Sequence, residues 1–236
     1  MSNWNKKLLS VVVSLLFLLS LAYAGKRTAL SAAGAGTEGR ASEVCIVLDP
    51  GHGGIDPGKI GINGAKEKDI NLQITERVKE YLEANDVRVV MTRESDEGLY
   101  DAGADNKKVQ DMKRRIALID ETAPSVTVSI HQNSYPEESI HGAQVFYYTG
   151  SSAGQKLAEN IQKSLVQRVD PGNKRQVKEN SSYYLLKKTG LPIVIVECGF
   201  LSNSAEAEKL GSADYQDRIA WAVCMGILQY LSGTDT

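Results

Sequence analysis

Val44-Cys45-Ile46-Val47-Leu48 runs straight into Asp49-Pro50-Gly51-His52-Gly53-Gly54, an unbroken apolar stretch followed by a polar loop rich in glycine. Apolar residues without polar alternation describe a strand buried on both faces, as in a parallel sheet covered by helices on either side. Val87 to Met91, Val126 to Ile130 and Ile193 to Val196 repeat this character, and Gln144 to Tyr148 is a fifth, more amphipathic run expected nearer an edge. Between these runs the apolar spacing changes to the helical period: Ile70, Ile74, Val78 and Leu82, then Val109, Met112, Ile116 and Ile119. Leu157, Ile161 and Leu165 make a third stripe, and Ile219, Val223, Ile227 and Leu231 a fourth that closes the chain. Each stripe offers one face to a sheet, and the alternation predicts an α/β fold.

A chain of 236 residues is long enough for one substantial core and short for two. Its 27 basic and 29 acidic residues nearly cancel, so nothing points to a polyanion such as nucleic acid as the main partner, and no nucleic acid is expected. Lys6 and Lys7 precede an apolar run from Leu8 to Ala24, interrupted by Ser10, Ser14, Ser20 and Tyr23. This reads as an export segment, residues 1–24. Ala22-Tyr23-Ala24 fits the small-x-small pattern of a cleavable signal peptide, while the length approaches the roughly 20 residues of a membrane-spanning helix, so cleaved peptide and retained anchor both stand. Residues 25–42 form a linker of small residues, and residues 43–236 the expected folded domain. Cys45, Cys198 and Cys224 are too few and odd in number for a disulfide framework; each sits in an apolar stretch as a buried thiol.

Ligands of open α/β sheets bind beyond the carboxyl ends of the strands, where loops carry chemistry on a rigid support. Of the three histidines, His52 and His131 fall just past predicted buried strands. Two imidazoles at one rim suggest a metal, and catalytic zinc commonly takes three protein ligands from histidine and carboxylate, keeping a fourth position for water. Glu67 is the best third candidate, because it opens the helix predicted from Lys68 to Glu83, directly after the glycine-rich loop that carries His52. Glycines in that loop permit the tight backbone needed to turn the imidazole back over the strand. Glu197 ends the core run that begins at Pro192, an expensive place for a carboxylate unless something uses it. Beside zinc, which lowers the pKa of water from about 15.7 to about 7, it is a candidate base that takes a proton and passes it to a departing amine. The plainer reading makes the histidines hydrogen-bonded rim residues and Glu67 a complement to the helix dipole, worth about 0.3–1 kcal/mol. No tight pattern such as H-E-x-x-H fixes these residues near one another, so spacing alone leaves both readings standing.

Four blocks in order carry a resemblance: Asp49 to Gly54; Glu67-Lys68-Asp69 with Leu72; Ser129-Ile130-His131-Gln132-Asn133; and Val196-Glu197-Cys198-Gly199-Phe200-Leu201-Ser202-Asn203. Together they resemble the signature of the zinc-dependent N-acetylmuramoyl-L-alanine amidases, over essentially Val44 to Leu231. The resemblance implies that His52, Glu67 and His131 hold one Zn2+ and that Glu197 is the catalytic carboxylate. It implies a single-domain phosphorylase/hydrolase-like α/β fold, an about six-stranded twisted mixed sheet flanked by helices. It also implies peptidoglycan, glycan strand and stem peptide together, as the substrate, cut between N-acetylmuramic acid and L-alanine. Thr92-Arg93 and Asp96 match a family habit and are expected to be structural. Within the family, the short length, the hydrophobic N-terminus with no repeated wall-binding module and the stretch from Glu197 to Asn203 are similar to the germination-specific amidases of endospore formers. Those act with a peptidoglycan deacetylase to form muramic δ-lactam in spore cortex. The expected location is therefore outside the cytoplasmic membrane, secreted or anchored at the cell wall or spore cortex, with membrane contact only through the N-terminal segment.

Some division amidases of the family carry an inserted helix that plugs the zinc site. Here only Thr149 and Gly150 separate Tyr148 from the next helical pattern near Ser151, leaving regulation to timing, membrane placement or an accessory protein. Asn133 is expected to orient His131 or bind a substrate carbonyl, and Asp49 to support His52 in the same way, since ligating histidines need a second partner. His141 reads as a loop residue near substrate. Strand alternation sends Cys198 to the face opposite Glu197, and nothing identifiable lowers its pKa, which argues against a thiol nucleophile. The glycine-rich loop lacks the G-x-x-x-x-G-K-[ST] order of a phosphate cradle. The rival functions are a general wall autolysin, a zinc peptidase acting within the stem peptide, and a non-enzymatic wall-binding scaffold.

Overall fold

The structure, a computed structural model, describes residues 44–233; the export segment of residues 1–24 and the linker of residues 25–42 lie outside the described residues. Six strands, β1 (Cys45–Pro50), β2 (Arg88–Met91), β3 (Val126–Asn133), β4 (Gln144–Tyr148), β5 (Lys178–Asn180) and β6 (Ile193–Phe200), form one sheet in the order β2-β1-β3-β6-β4-β5. The first four in that order run parallel. β4 is antiparallel to β6, and β5 runs parallel to β4, so the sheet is mixed as expected.

All five apolar runs are strands, and the amphipathic one, β4, stands one place in from the edge. Outside it lies β5, which sequence reading does not find: Lys178-Glu179-Asn180 has no apolar pattern, and its pairing to Phe146, Tyr147 and Tyr148 makes it a strand. The strands also run further than their apolar parts. β3 continues through His131 to Asn133 and β6 through Glu197 to Phe200, so these residues belong to the strands themselves and not to loops after them.

The four expected helices are α1 (Glu67–Glu83), α2 (Lys107–Thr122), α3 (Ser152–Arg168) and α6 (Ala213–Ser232). α4 (Tyr184–Lys188) and α5 (Ser204–Leu210) are too short to show a period. Asn106, Ser151, Asn203 and Ser212 cap α2, α3, α5 and α6 by accepting a hydrogen bond from a first-turn amide. Thr149, Gly150 and Ser151 are all that separate β4 from α3.

The helices cover the two sheet faces unequally. Ile46, Leu48, Val128, Ile130, Val194 and Val196 face a large core closed by α1, α3 and α6. Val47, Ile193 and Ile195 face a smaller one closed by Ile119 of α2 and Leu185 and Leu186 of α4. Val109, placed by its period on the α2 stripe, is exposed, while Met112, Ile116 and Ile119 pack on the smaller core. Alternation along the strands then places Asp49, Ser129, His131 and Glu197 on the face of the smaller core, toward the strands' carboxyl ends.

Gly226 sits inside α6, where glycine costs about 1 kcal/mol relative to alanine. Close approach to α3 explains it: a Cβ there would come 2.6 Å from Ile161 Cα and 2.9 Å from Ile161 N, backbone atoms that cannot turn aside. Gly226→Ala should therefore lose more to overpacking than it gains in helix propensity, a net loss of about 1–2 kcal/mol. Urea unfolding with an unchanged slope and a lower midpoint is the expected result; a raised midpoint would show that the two helices have room to spare.

Candidate metal centre

Beyond β1 the chain enters the glycine-rich loop in a conformation that side chains resist: His52 has φ of +64°, in the left-handed region. Two buried guanidinium groups hold it there. Arg93 donates from Nε to Pro50 O at 3.0 Å and from Nη2 to Gly51 O at 3.1 Å. Arg115 donates from Nη1 to Pro50 O at 2.8 Å and from Nη2 to His52 O at 2.6 Å. Three consecutive carbonyls are thus fixed by charged donors. Asp49 balances Arg115 with an ion pair at 2.7 Å and also accepts from Thr92 Oγ1 and Ser129 Oγ, both at 2.6 Å. Burial alone would raise the Asp49 carboxyl, but Arg115 and these hydroxyls outweigh it and bring the pKa to about 2. Asp49, expected from the sequence to partner the His52 side chain, does not touch it: its carboxylate is taken by Arg115, Thr92 and Ser129, and it supports the backbone of the loop through Arg115.

The loop returns through Gly58 to α1, whose first residue is Glu67. Glu67 Oε2 accepts from Lys59 N at 2.8 Å, and Oε1 from Gln132 N at 3.1 Å. Onto that same Oε1 converge His52 Nε2 at 3.2 Å and His131 Nδ1 at 3.0 Å. One donor atom from each of the three residues lies within 4.8 Å of the others, the one such group among the described residues. His52 turns its other nitrogen, Nδ1, to Asp56 Oδ2 at 3.1 Å, which is how a carboxylate fixes the tautomer and direction of a ligating imidazole. Burial would lower the pKa of His131, yet the Glu67 carboxylate raises it, so the pocket as built draws positive charge. Two imidazole nitrogens and a carboxylate oxygen are the donors zinc accepts in catalytic sites, and the residues fit that ion.

Glycine is required twice. A Cβ on Gly51 would overlap the ring of His131, and one on Gly58, at φ of +68°, would lie 2.8 Å from both Glu67 Cβ and His52 Cδ2.

Glu197 pairs in register with His131 across the parallel strands β3 and β6, so both side chains stand side by side on one face. Its Oε2 is buried without a hydrogen-bond partner among the described residues. Burial raises its pKa to about 7, with repulsion from Glu67 adding and His131 and His52 opposing. Two openings meet beside it. One is an apolar cavity of about 320 Å3 running beneath α2 and α4, past Met112, Tyr183, Leu185 and Ile195. The other is a polar groove of about 450 Å3 along Lys59, Gln132, Asn133 and Ser134. Asn133 lines that groove and accepts from Ser134 N at 2.8 Å; no hydrogen bond joins it to His131. His141 lies elsewhere, in a cleft with Glu206, Tyr215 and Arg218. Cys198 faces the large core, where burial pushes its thiol far above the usual range.

Sequence reading passed over Asp56, Arg115 and Tyr183. Asp56 had a signal, a carboxylate four residues from His52 in the same loop. Arg115 had one too, since it falls on the Met112 and Ile119 side of α2, where a charge needs a partner.

Residues 46–229 match the N-acetylmuramoyl-L-alanine amidase family called Amidase_3. The chain is 38% identical over 190 residues to the germination-specific N-acetylmuramoyl-L-alanine amidase of Bacillus subtilis, covering 79% of each protein. It is 32% identical over 187 residues to N-acetylmuramoyl-L-alanine amidase LytC of the same organism, covering 78% of this chain and 35% of LytC. Among solved structures it is similar to the CwlD amidase of Clostridioides difficile in complex with the GerS lipoprotein, with 40% identity and a TM-score of 0.79 over 81% of this chain and 100% of that one. The chain belongs to the N-acetylmuramoyl-L-alanine amidase family.

Two substitutions test how the site is held. Gly51→Ala should fold normally and weaken zinc binding by about 10–100-fold, read by competition with a chelating dye, because only the His131 ring must move; unchanged affinity would mean that the ring has room. Asp49→Asn removes the fully buried one of the two carboxylates that balance Arg115, leaving Asp111 alone, and should cost about 1–3 kcal/mol at neutral pH. The folded Asp49 pKa lies below its unfolded value, so its contribution is complete above about pH 4 and fades as pH falls through about 2. Urea titrations of parent and variant should therefore converge over that interval; a constant gap would assign the loss to something other than the charge.

Proposed function

We propose that this amidase is zinc-dependent, with His52, Glu67 and His131 holding one ion and Glu197 moving the proton that amide hydrolysis requires. The observation that supports this most is the convergence of His52 Nε2 and His131 Nδ1 on Glu67 Oε1, beside a buried carboxylate with a free oxygen. When bound, zinc supplies Lewis acidity that polarises the amide carbonyl and makes water acidic. The chain does the rest. Asp56 and Gln132 N hold the ligands in one orientation, and the paired register of β3 and β6 keeps Glu197 beside His131. Its raised pKa leaves Glu197 able both to accept a proton from water and to return it to the leaving amine near neutral pH. The bond cut joins the lactyl group of muramic acid to the L-alanine of the stem peptide.

The finer role is muramic δ-lactam formation in spore cortex, in partnership with a peptidoglycan deacetylase. It rests on the likeness to the germination-specific enzyme of Bacillus subtilis and to CwlD. Because CwlD is seen with a lipoprotein, an accessory protein partner belongs to the same proposal. So does the location, outside the cytoplasmic membrane behind the N-terminal export segment. One second reading is a general wall autolysin, since the family match and the likeness to LytC carry the amidase activity without a spore role. Muropeptide analysis of cortex from cells lacking the protein separates them: loss of δ-lactam supports the spore role, and altered vegetative wall with normal cortex the other.

In a muropeptide assay the products should be free lactyl carboxyls and intact stem peptides; cuts within the peptide would instead describe a peptidase. Glu197→Gln should retain about one zinc per chain and lose about 10²–10⁴-fold in turnover, while His52→Ala loses the metal as well. Turnover by Glu197→Gln at the parent rate would remove the proposed proton carrier.

A further inference from the structure

We propose that the Tyr183 hydroxyl is a second electrophilic group of this site, donating a hydrogen bond to the scissile carbonyl oxygen as that oxygen gains negative charge. The proposal rests on the zinc hydrolase reading above and adds a residue to it. Tyr183 borders both the apolar cavity and the polar groove, a position it shares with His52, Asp56, Lys108, His131 and Glu197. An amide must lie at that seam for the three ligands and Glu197 to act on it together.

Its neighbours are already committed, and Tyr183 is not. Lys108 donates to Asp56 Oδ1 at 2.9 Å, the Arg115 donors are taken by Asp49, Asp111 and the loop carbonyls, and Tyr100 lines the apolar cavity alone, away from the polar groove. Among the described residues the Tyr183 hydroxyl has no hydrogen-bond partner, although the ring is half-buried. The hydroxyl is not one of the buried unpartnered atoms, so it is open to the site and its proton is free for a group that enters there.

The hydroxyl is also held in place before substrate arrives. The ring stands edge-on to Phe146 with centroids 5.5 Å apart. Asn180 Oδ1 accepts from Ser182 N at 2.7 Å and Tyr183 N at 2.8 Å, fixing the turn that leads into α4. Burial, and then the carboxylates of Glu197 and Glu67, hold the phenol pKa above its usual value, so the group keeps its proton and remains a donor. A fixed donor aimed at developing charge costs no reorganisation during the reaction, and losing one such donor elsewhere lowers kcat by about 10²–10³-fold.

Tyr183→Phe in the full-length zinc-loaded protein isolates the hydroxyl. The expected result is a kcat lower by about 10²-fold, KM within about twofold, and unchanged zinc content and thermal midpoint. A phosphinate analogue of the muramoyl-alanine amide, whose anionic oxygen mimics the charge that develops, should bind more weakly by about the same factor. Tyr183→Leu, which also removes the ring, should lower the thermal midpoint and so shows what a packing defect looks like. Parent-like kcat in Tyr183→Phe, a rise in KM alone, or a rate loss that tracks a falling midpoint would each overturn the assignment. A parent enzyme that cleaves no muramoyl amide would overturn the zinc hydrolase reading itself, and the role of Tyr183 with it.

Discussion

A buried ion pair between Asp49 and Arg115 underlies the geometry of the site. Taking a guanidinium out of water costs several kcal/mol, and the cost is offset only when its donors find well-placed acceptors. Arg115 meets that condition with Asp49, Asp111, Pro50 O and His52 O. The arrangement ties the first strand, the α2 helix and the loop carrying His52 into one unit. Arg93 repeats it from the other side through Pro50 O and Gly51 O. An imidazole on a left-handed backbone in a glycine-rich loop would otherwise have many orientations; two cations reading consecutive carbonyls leave it one.

From that constraint the remaining features follow in order. With Gly51 fixed, the His131 ring packs directly over it, and its Nδ1 is carried to Glu67. Glu67 starts α1 because the loop returns over the strand ends, and two backbone amides, Lys59 N and Gln132 N, hold its carboxylate. Glu197 needs no separate device, since parallel pairing with β3 sets it beside His131. The small core on this side of the sheet, closed by α2 and the five-residue α4, leaves space for substrate at the sheet end.

The parts of this that were legible in the sequence are those with a strong local signal. Five apolar runs and four helical stripes located every long element, and the two histidines past strand ends, with Glu67 and Glu197, are the groups that the fold assembles. β5 escaped because Lys178-Glu179-Asn180 is defined by backbone pairing and carries no hydrophobic pattern. α4 and α5 escaped because a helix of five or seven residues is shorter than two full periods. Asp49 was expected against the His52 ring: its side chain instead pairs with Arg115, and the carboxylate on His52 Nδ1 is that of Asp56. Such distinctions depend on which face a strand residue takes and where a buried cation lies, neither of which motif spacing encodes.

Zinc-edge X-ray absorption on the purified, zinc-loaded protein measures the central claim most directly, because it counts and identifies the atoms around the ion. The account predicts two imidazole nitrogens at about 2.0–2.1 Å and otherwise only oxygen, from Glu67 and solvent. A sulfur scatterer at about 2.3 Å, or a shell with a single imidazole, would contradict it.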